Sequence, residues 1–310
     1  MTFATSSERP VLREQVRRLV ARHAPSDGTH ETPLDGIQLF RVSAPVERVP
    51  GVYNPSVCVI VEGSKYAYHD GRTYTYGPDR YLCATMPTPV EAEIPHATPD
   101  EPVLGILLDL ETRTMTELMI QYRAANPQPP NPADTTTGLA VAAWDPLFAT
   151  ALLRALELLD EPTALDVLGH GRLRELLYTI IEGPAGPVIR NTVGAPSHQL
   201  VHVLTYMRNN LDQPLAVEDL ADRAGMSRAA FDRHFKATTR LSPLKYLKAL
   251  RLNDAAMLIT NGTNITHAAT RVGYTSPSQF SREFKRHFGT SPRTWSAATG
   301  PTDPQVSAAS

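Results

Sequence analysis

The sequence predicts a multidomain α+β protein, in which a β-rich domain with flanking helices precedes an all-α domain with two helix-turn-helix units. A repeated phrase predicts the all-α domain: GMSRAAFDRHFK at residues 225–236 returns as GYTSPSQFSREFK at residues 273–285, with Thr275 as one extra residue. Short apolar segments separated by closely spaced turn residues predict the β-rich domain between residues 36 and 111. With 310 residues, the chain is long enough for two domains that each bury a core.

The charge of the chain is divided unevenly. The whole chain has a net charge of −2, whereas residues 197–296 contain 14 Lys and Arg against 7 Asp and Glu. This excess predicts a polyanionic partner for the C-terminal part alone. No apolar run reaches the roughly 20 residues that cross a bilayer, and MTFATSSERPVLREQV lacks the apolar core of a secretory signal, so we expect a cytoplasmic protein.

The N-terminal part begins with a predicted helix and loop over residues 1–34, followed by a β-rich domain over residues 35–185. In KYAYHDGRTYTYG, tyrosines alternate on both sides of Asp70 and Gly71, which predicts a hairpin because both central turn positions favour positive φ. SVCVIVEG, RYLCAT, VEAEI and VLGILLDL predict further strands of a small barrel or sandwich. Helical periodicity then covers residues 114–125, 145–159 and 165–181, and the Gly- and Pro-containing residues 186–197 predict a linker.

Each repeated unit predicts a helix, a tight turn and a second helix. In the first unit, over about residues 215–237, Gly225 ends one helix and Ser227 caps the next. In the second unit, over about residues 264–288, Gly273 and Ser276 have the same positions. A helix over about residues 243–260 joins the units, and the Ala- and Ser-rich residues 297–310 predict a disordered tail.

The second helix of each unit has a basic face opposite an aromatic one. At 100° per residue, Phe231 and Phe235 share one side and leave Arg233 on the other, and the second unit repeats this pattern. A basic helix face is usually only solvated. The duplication, the spacing and the charge together favour insertion into the DNA major groove, where arginine can bind guanine O6 and N7 and lysine meets phosphate.

Residues 198–296 resemble the DNA-binding domain of the AraC/XylS family of bacterial transcription regulators, most closely in GYTSPSQFSREFKRHFGTSPRTW. The resemblance implies that the base-facing residues include Ala229, which offers only a methyl group where many relatives have a longer side chain. Together with the predicted phosphate contacts, the candidate DNA-binding residues are Ala229, Asp232, Arg233, Lys236, Ser278, Gln279, Arg282 and Lys285.

The β-rich domain resembles the sensor domain of one subgroup of the same family, which implies a cupin-like β-barrel followed by helices. In such regulators this domain binds a small molecule or mediates dimerisation. The candidate effector-pocket residues are Cys58, Tyr66, Tyr68, Tyr74, Tyr76 and Cys83. The alternatives remain open: the tyrosines can face solvent or a second subunit, and the cysteines can be small buried hydrophobic residues without a disulfide.

We therefore predict a DNA-binding transcription regulator that responds to an effector through its N-terminal domain. Its candidate partners are double-stranded DNA, a small molecule, a second copy of the chain and, for an activator, RNA polymerase. One alternative is a constitutive regulator whose barrel only dimerises. A more distant one is a cupin metalloenzyme fused to a DNA-binding module, but metal-binding cupins use a His-x-His pair, whereas His69 precedes Asp70 and Gly71 and His96 stands alone. We expect no cofactor, no metal site and no enzymatic activity.

Overall fold

The structure is a computed structural model that describes residues 9–110, 113–126, 138–192 and 198–298. The predicted tail beyond residue 298 and residues 193–197 of the predicted linker lie outside this description. The strands are β1 (Gly28–Glu31), β2 (Ile37–Val42), β3 (Val46–Tyr53), β4 (Ser56–Glu62), β5 (Lys65–His69), β6 (Arg72–Tyr76), β7 (Arg80–Ala84), β8 (Thr88–Ile94), β9 (Val103–Asp109) and β10 (Leu139–Ala143). The N-terminal helices are α1 (Arg9–His23), α2 (Arg113–Ala125), α3 (Pro146–Glu157), α4 (Pro162–Glu182) and α5 (Gly186–Thr192).

The strands form two antiparallel sheets that face each other. The larger sheet has the order β1-β2-β9-β4-β7-β10 and the smaller one β3-β8-β5-β6. Alternation along the strands places Cys58 and Leu82 of the larger sheet against Ala67 and Val90 of the smaller sheet, in one apolar layer. The cupin-like fold is confirmed, but as a jelly-roll sandwich of two sheets and not as a closed barrel.

The other face of the larger sheet is covered by helices. Val57 and Cys83 point to this side and pack with α1, α3 and α4 in a second apolar core. The predicted Asp70-Gly71 hairpin is confirmed, since β5 pairs with β6 and the two turn residues have φ of 49° and 71°.

Two segments differ from the sequence prediction because tertiary packing gives them structure. The predicted N-terminal loop contains β1, which pairs with β2 at the edge of the larger sheet. Residues 186–192 of the predicted linker form α5, whose Val188 and Ile189 are buried in the helix-covered core. Residues 186–192 contain few apolar side chains, so only the packing of the neighbouring helices reveals that Val188 and Ile189 are buried. β1 is mostly exposed and depends on its pairing with β2.

The C-terminal domain is helical throughout its described residues. Its helices are α6 (His198–Asn209), α7 (Val217–Arg223), α8 (Arg228–Thr239), α9 (Pro243–Thr260), α10 (Ile265–Arg271), α11 (Pro277–Phe288) and α12 (Pro292–Ala298). The pairs α7–α8 and α10–α11 are the two predicted helix-turn-helix units, and α9 joins them. No helix in the described part of the chain is long and apolar enough to cross a membrane.

The C-terminal domain packs on the outer face of the smaller sheet. Val52 of β3 and Met86 lie in the same apolar cluster as Phe231 of the first unit and Leu250 of α9. Met257 of α9 belongs to the same apolar cluster as the residues between the two sheets. The domain that is predicted to sense a signal therefore contacts α9, the helix that joins the two helix-turn-helix units.

Candidate nucleic-acid interface

The second helix of each unit, α8 or α11, begins at a serine cap. The Ser227 hydroxyl accepts a hydrogen bond from the Ala230 backbone amide at 3.4 Å, and the Ser276 hydroxyl accepts one from the Gln279 amide at 3.3 Å. Pro277 follows the second cap, where a missing backbone amide costs nothing. Both predicted caps are confirmed, and each satisfies an amide that the helix leaves without a partner.

Paired phenylalanines hold both helices against their units. Phe231 and Phe235 are fully buried with ring centroids 5.4 Å apart, and Phe280 and Phe284 have the same spacing. The first pair continues to the Tyr246 ring of α9, whereas the second continues to Phe288 and Trp295. The opposite face of each helix is consequently free of the core.

The eight predicted DNA-binding residues lie on these free faces. Asp232 is half-buried, and the other seven side chains are exposed. Arg233 and Arg282 occupy equivalent positions in the two units, each between buried phenylalanines. The structure thus presents all eight to solvent, and their contacts with DNA stay a prediction.

In the second unit, Glu283 fixes the helix to its surroundings. Its carboxylate accepts hydrogen bonds from Lys248 Nζ at 2.9 Å, Tyr274 Oη at 2.8 Å and Gln279 Nε2 at 3.4 Å. Burial acts to raise the pKa of Glu283, but the hydrogen bonds from Lys248, Tyr274 and Gln279 outweigh it and hold the pKa below its usual value. The predicted base-facing Gln279 is therefore oriented by a charged neighbour.

In the first unit, Arg228 is bound by two carboxylates. Its Nε lies 2.9 Å from Asp232 Oδ2 on the same helix, and its Nη1 pairs with Glu218 of α7. Sequence analysis did not identify Arg228 or Glu218 as site residues. The spacing of four residues between Arg228 and Asp232 could have indicated the first of these pairs.

Polar contacts near the centre of α9 join this helix to α6 and to the segment before α7. Arg208 of α6 pairs with Asp254 of α9 at 2.9 Å, with both side chains largely buried. Burial raises the pKa of Asp254, and Arg208 partly offsets this effect. Arg251 donates a hydrogen bond to the Gln213 carbonyl at 2.8 Å, which ties α9 to the segment before α7.

The six candidate effector-pocket residues do not gather in one place. Cys58 and Cys83 lie on the paired strands β4 and β7, where Cys83 is opposite Val57, the neighbour of Cys58. Their side chains therefore point to opposite faces of the larger sheet. Burial raises the pKa of the Cys83 thiol to about 12. In the hairpin, Tyr74 and Tyr76 pack toward the layer between the sheets, whereas the alternating Tyr66 and Tyr68 occupy the opposite face.

The outer face of the hairpin borders a cleft between the two domains. This cleft has a volume of ≈ 490 Å³ and is lined by residues of both domains, including Tyr68, His69, Leu241 and His287. The Tyr68 hydroxyl donates a hydrogen bond to Glu93 at 2.5 Å. The His69 ring lies 2.8 Å from the Pro89 carbonyl through Nδ1, and burial lowers its pKa. Within the described ranges, no group of three or more His, Cys, Asp or Glu side chains is placed to hold a metal ion.

Sequence comparisons match both domains to known protein families. The family described as AraC-type transcriptional regulator N-terminus matches residues 33–188, and a helix-turn-helix domain family matches residues 220–298. The chain is 38% identical over 96 residues to the transcriptional regulator AlkR of Acinetobacter baylyi, which covers 31% of each chain. It is 33% identical over 96 residues to the transcriptional activator RhaS of Escherichia fergusonii, covering 31% of this chain and 34% of RhaS. The matched segment spans about a third of these relatives.

A solved structure resembles the whole fold. A variant of apo ToxT from Vibrio cholerae superposes on this structure with a TM-score of 0.53. The superposition covers 87% of this chain and 100% of the ToxT chain. The two sequences are 10% identical, so this likeness concerns the arrangement of the two domains and not their ligands.

Proposed function

Because the chain belongs to the AraC/XylS family of bacterial transcription regulators, we propose that it binds specific DNA sequences and regulates transcription. The carrying observation is the pair of exposed helices α8 and α11, each anchored by buried phenylalanines and each presenting an arginine at the same position. Arginine can donate two hydrogen bonds to guanine in the major groove, and we propose phosphate contacts for the exposed Lys236 and Lys285.

The joining helix has a length that suits two neighbouring major grooves. It contains 18 residues, which corresponds to about 27 Å at 1.5 Å per residue. Adjacent turns of DNA are separated by about 34 Å. The exposed helices α8 and α11, here called the reading helices, lie at the two ends of α9 and can therefore reach successive major grooves on one side of the duplex.

We further propose that the N-terminal domain controls DNA binding through its contact with α9. The Tyr246 hydroxyl of α9 donates a hydrogen bond to the Pro87 carbonyl, and the tyrosine is buried at the boundary. The cleft beside this contact is a candidate effector site. An effector would change the affinity for DNA to the extent that it binds one arrangement of the domains better than another.

The hairpin tip supports this coupling at the end of the first reading helix. In the described part of the chain, Asp70 and Arg240 are the non-glycine residues with positive φ. Arg240 Nε lies 3.8 Å from Asp70 Oδ2 across the domain boundary. The equivalent helix end in the second unit is Gly289, which adopts this conformation without cost. We propose that the Arg240 side chain supports the coupling of the domains through this contact with Asp70.

A constitutive regulator whose N-terminal domain dimerises is the second candidate. The helices α2 and α4 expose apolar side chains, with Ile120 65%, Val167 75% and Tyr178 48% accessible. A second copy of the chain could cover this surface. RNA polymerase is a further proposed partner if the protein activates transcription.

The direct test is binding to genomic DNA. Fragments of the host genome recovered with the full chain are expected to yield a duplex that binds more tightly than a random duplex of equal length. Arg233→Ala and Arg282→Ala should each weaken binding to that duplex by about 1–3 kcal/mol and relax its sequence preference.

The matched control is Lys285→Ala, one turn from Arg282. Loss of a phosphate contact should weaken binding to both duplexes similarly and lower the salt dependence. Fluorescence anisotropy at several salt concentrations measures the affinity for each duplex and its salt dependence. A wild-type chain that does not distinguish any recovered fragment from random DNA would contradict the proposed function.

A further inference from the structure

The two helix-turn-helix units differ in how they present charge. In the first unit, Arg228 at the start of α8 lies between Glu218 and Asp232. The accessible fractions of the three side chains are 44%, 70% and 43%, so the whole cluster faces the solvent on the side of the reading helix. The cation nearest the start of this helix thus already has two anionic partners before DNA arrives.

The second unit provides an internal comparison. With Thr275 as the extra residue, the positions of Glu218, Arg228 and Asp232 correspond to Thr266, Pro277 and Ser281. None of these three side chains is charged. The duplicated architecture therefore contains the cluster once, which argues that it is a property of the first unit and not a requirement of the fold.

Ion pairs at such exposed positions are weak. Each guanidinium hydrogen bond to a carboxylate near the surface competes with water and salt, and DNA phosphates can replace the carboxylates at small cost. The carboxylates then remain near the phosphates and repel them. A duplex must compensate for this repulsion before the first unit can bind it.

We propose that Glu218, Arg228 and Asp232 form a charge filter that limits non-specific binding by the first unit and makes its binding depend on sequence. The carboxylates offset the attraction of Arg228 for any phosphate backbone. A base pair that offers a donor to Asp232, such as the amino group of cytosine, compensates for the repulsion, and other base pairs do not. The second unit, without this cluster, supplies the larger share of sequence-independent affinity.

This inference rests on the proposed function and concerns the selectivity of the same interface. The experiment uses the full chain, a random 30-base-pair duplex and a duplex recovered with the wild-type protein. Glu218→Gln and Asp232→Asn should each tighten binding to the random duplex by about 3- to 10-fold at low salt, and should steepen the salt dependence by about one phosphate contact. The preference for the recovered duplex should fall most in Asp232→Asn.

Asp219→Asn is the matched control. Asp219 is exposed beside Glu218 on α7, and its substitution changes the net charge by the same amount. We expect it to change binding to the random duplex less than Glu218→Gln or Asp232→Asn does, because the described ion pairs of Arg228 are with Glu218 and Asp232, so the loss of the Asp219 charge releases no guanidinium. In an Arg228→Gln background, Asp232→Asn should no longer steepen the salt dependence, since the released cation is absent.

The outcomes separate the filter from the function. Equal effects of Asp219→Asn, Glu218→Gln and Asp232→Asn on both duplexes would overturn the filter, even if the wild type still prefers the recovered duplex. An unchanged salt dependence in both Glu218→Gln and Asp232→Asn would overturn it as well. Loss of the wild type's preference itself would overturn the proposed function instead.

Discussion

Single residues acquire their chemistry from the face on which they lie. Cys58 and Cys83 belong to adjacent strands, and a sequence that contains two cysteines invites a redox role. The pleat of the sheet directs Cys58 into the layer between the sheets and Cys83 into the helix-covered core. Both thiols are fully buried, and neither can reach the other without breaking the sheet.

We predict that neither thiol reacts in the folded protein. At pH 8 a disulfide reagent should label less than one thiol per chain within minutes, and both thiols immediately in denaturant. Burial keeps Cys83 protonated and inaccessible, and thiolate is the reactive form. Absorbance of the released thiolate reports the rate. A rapidly labelled thiol in the native chain would restore the hypothesis of redox sensing.

At the scale of elements, the duplication produces two units with similar turns but different surroundings. Gly225 and Gly273 both end a first helix with positive φ, at 61° and 83°. A Cβ at Gly225 would lie 3.8 Å from Gln199, an ordinary contact. A Cβ at Gly273 would lie 2.5 Å from the Leu211 carbonyl oxygen and would also meet the Arg251 guanidinium. The turn at Gly273 is therefore packed tightly against Leu211 and Arg251, whereas the turn at Gly225 has room for a side chain.

We predict that Gly273→Ala destabilises the protein much more than Gly225→Ala. Positive φ alone should cost about 1–2 kcal/mol of unfolding free energy at either site. The clash with a backbone carbonyl should add at least about 2 kcal/mol at Gly273. Urea unfolding followed by far-ultraviolet circular dichroism measures the difference.

Gly289→Ala is the control for this comparison. Gly289 has φ of 76° and open space around its Cβ position, so it should resemble Gly225→Ala. Equal destabilisation by all three alanine substitutions would show that backbone conformation, and not packing, determines the cost.

At the scale of the whole molecule, four layers follow one another: helices, the larger sheet, the smaller sheet and the C-terminal domain. The boundary between the last two is both apolar and polar. Val52 and Met86 enter the core of the first unit, and Tyr246 donates its hydrogen bond to Pro87. A change in the sandwich can therefore reach α9 without passing through the segment that connects the domains.

We predict that Tyr246→Phe loosens this boundary. The Pro87 carbonyl would lose the hydroxyl donor in a buried place, which costs about 1–3 kcal/mol. Hydrogen exchange should increase in residues 46–53 and 86–94 on one side and in α9 on the other.

Tyr274→Phe is the matched substitution inside the C-terminal domain. Its hydroxyl donates to Glu283 at 2.8 Å, so the effect should stay within the second unit. The same exchange pattern in both variants would show that Tyr246 does not couple the domains.

Local patterns in the chain were sufficient to predict the hairpin at Asp70 and Gly71, the serine caps at Ser227 and Ser276, the helix that joins the units and the family. Each depends on residues close together in sequence, whose backbone preferences and periodicity operate before the chain folds. Only the tertiary structure decided that residues 186–192 form a buried helix, that Cys58 and Cys83 face apart, and that two carboxylates hold Arg228. These features depend on which distant parts of the chain come into contact. Burial and ion pairing arise from neighbours in space, and a periodic sequence pattern does not identify those neighbours.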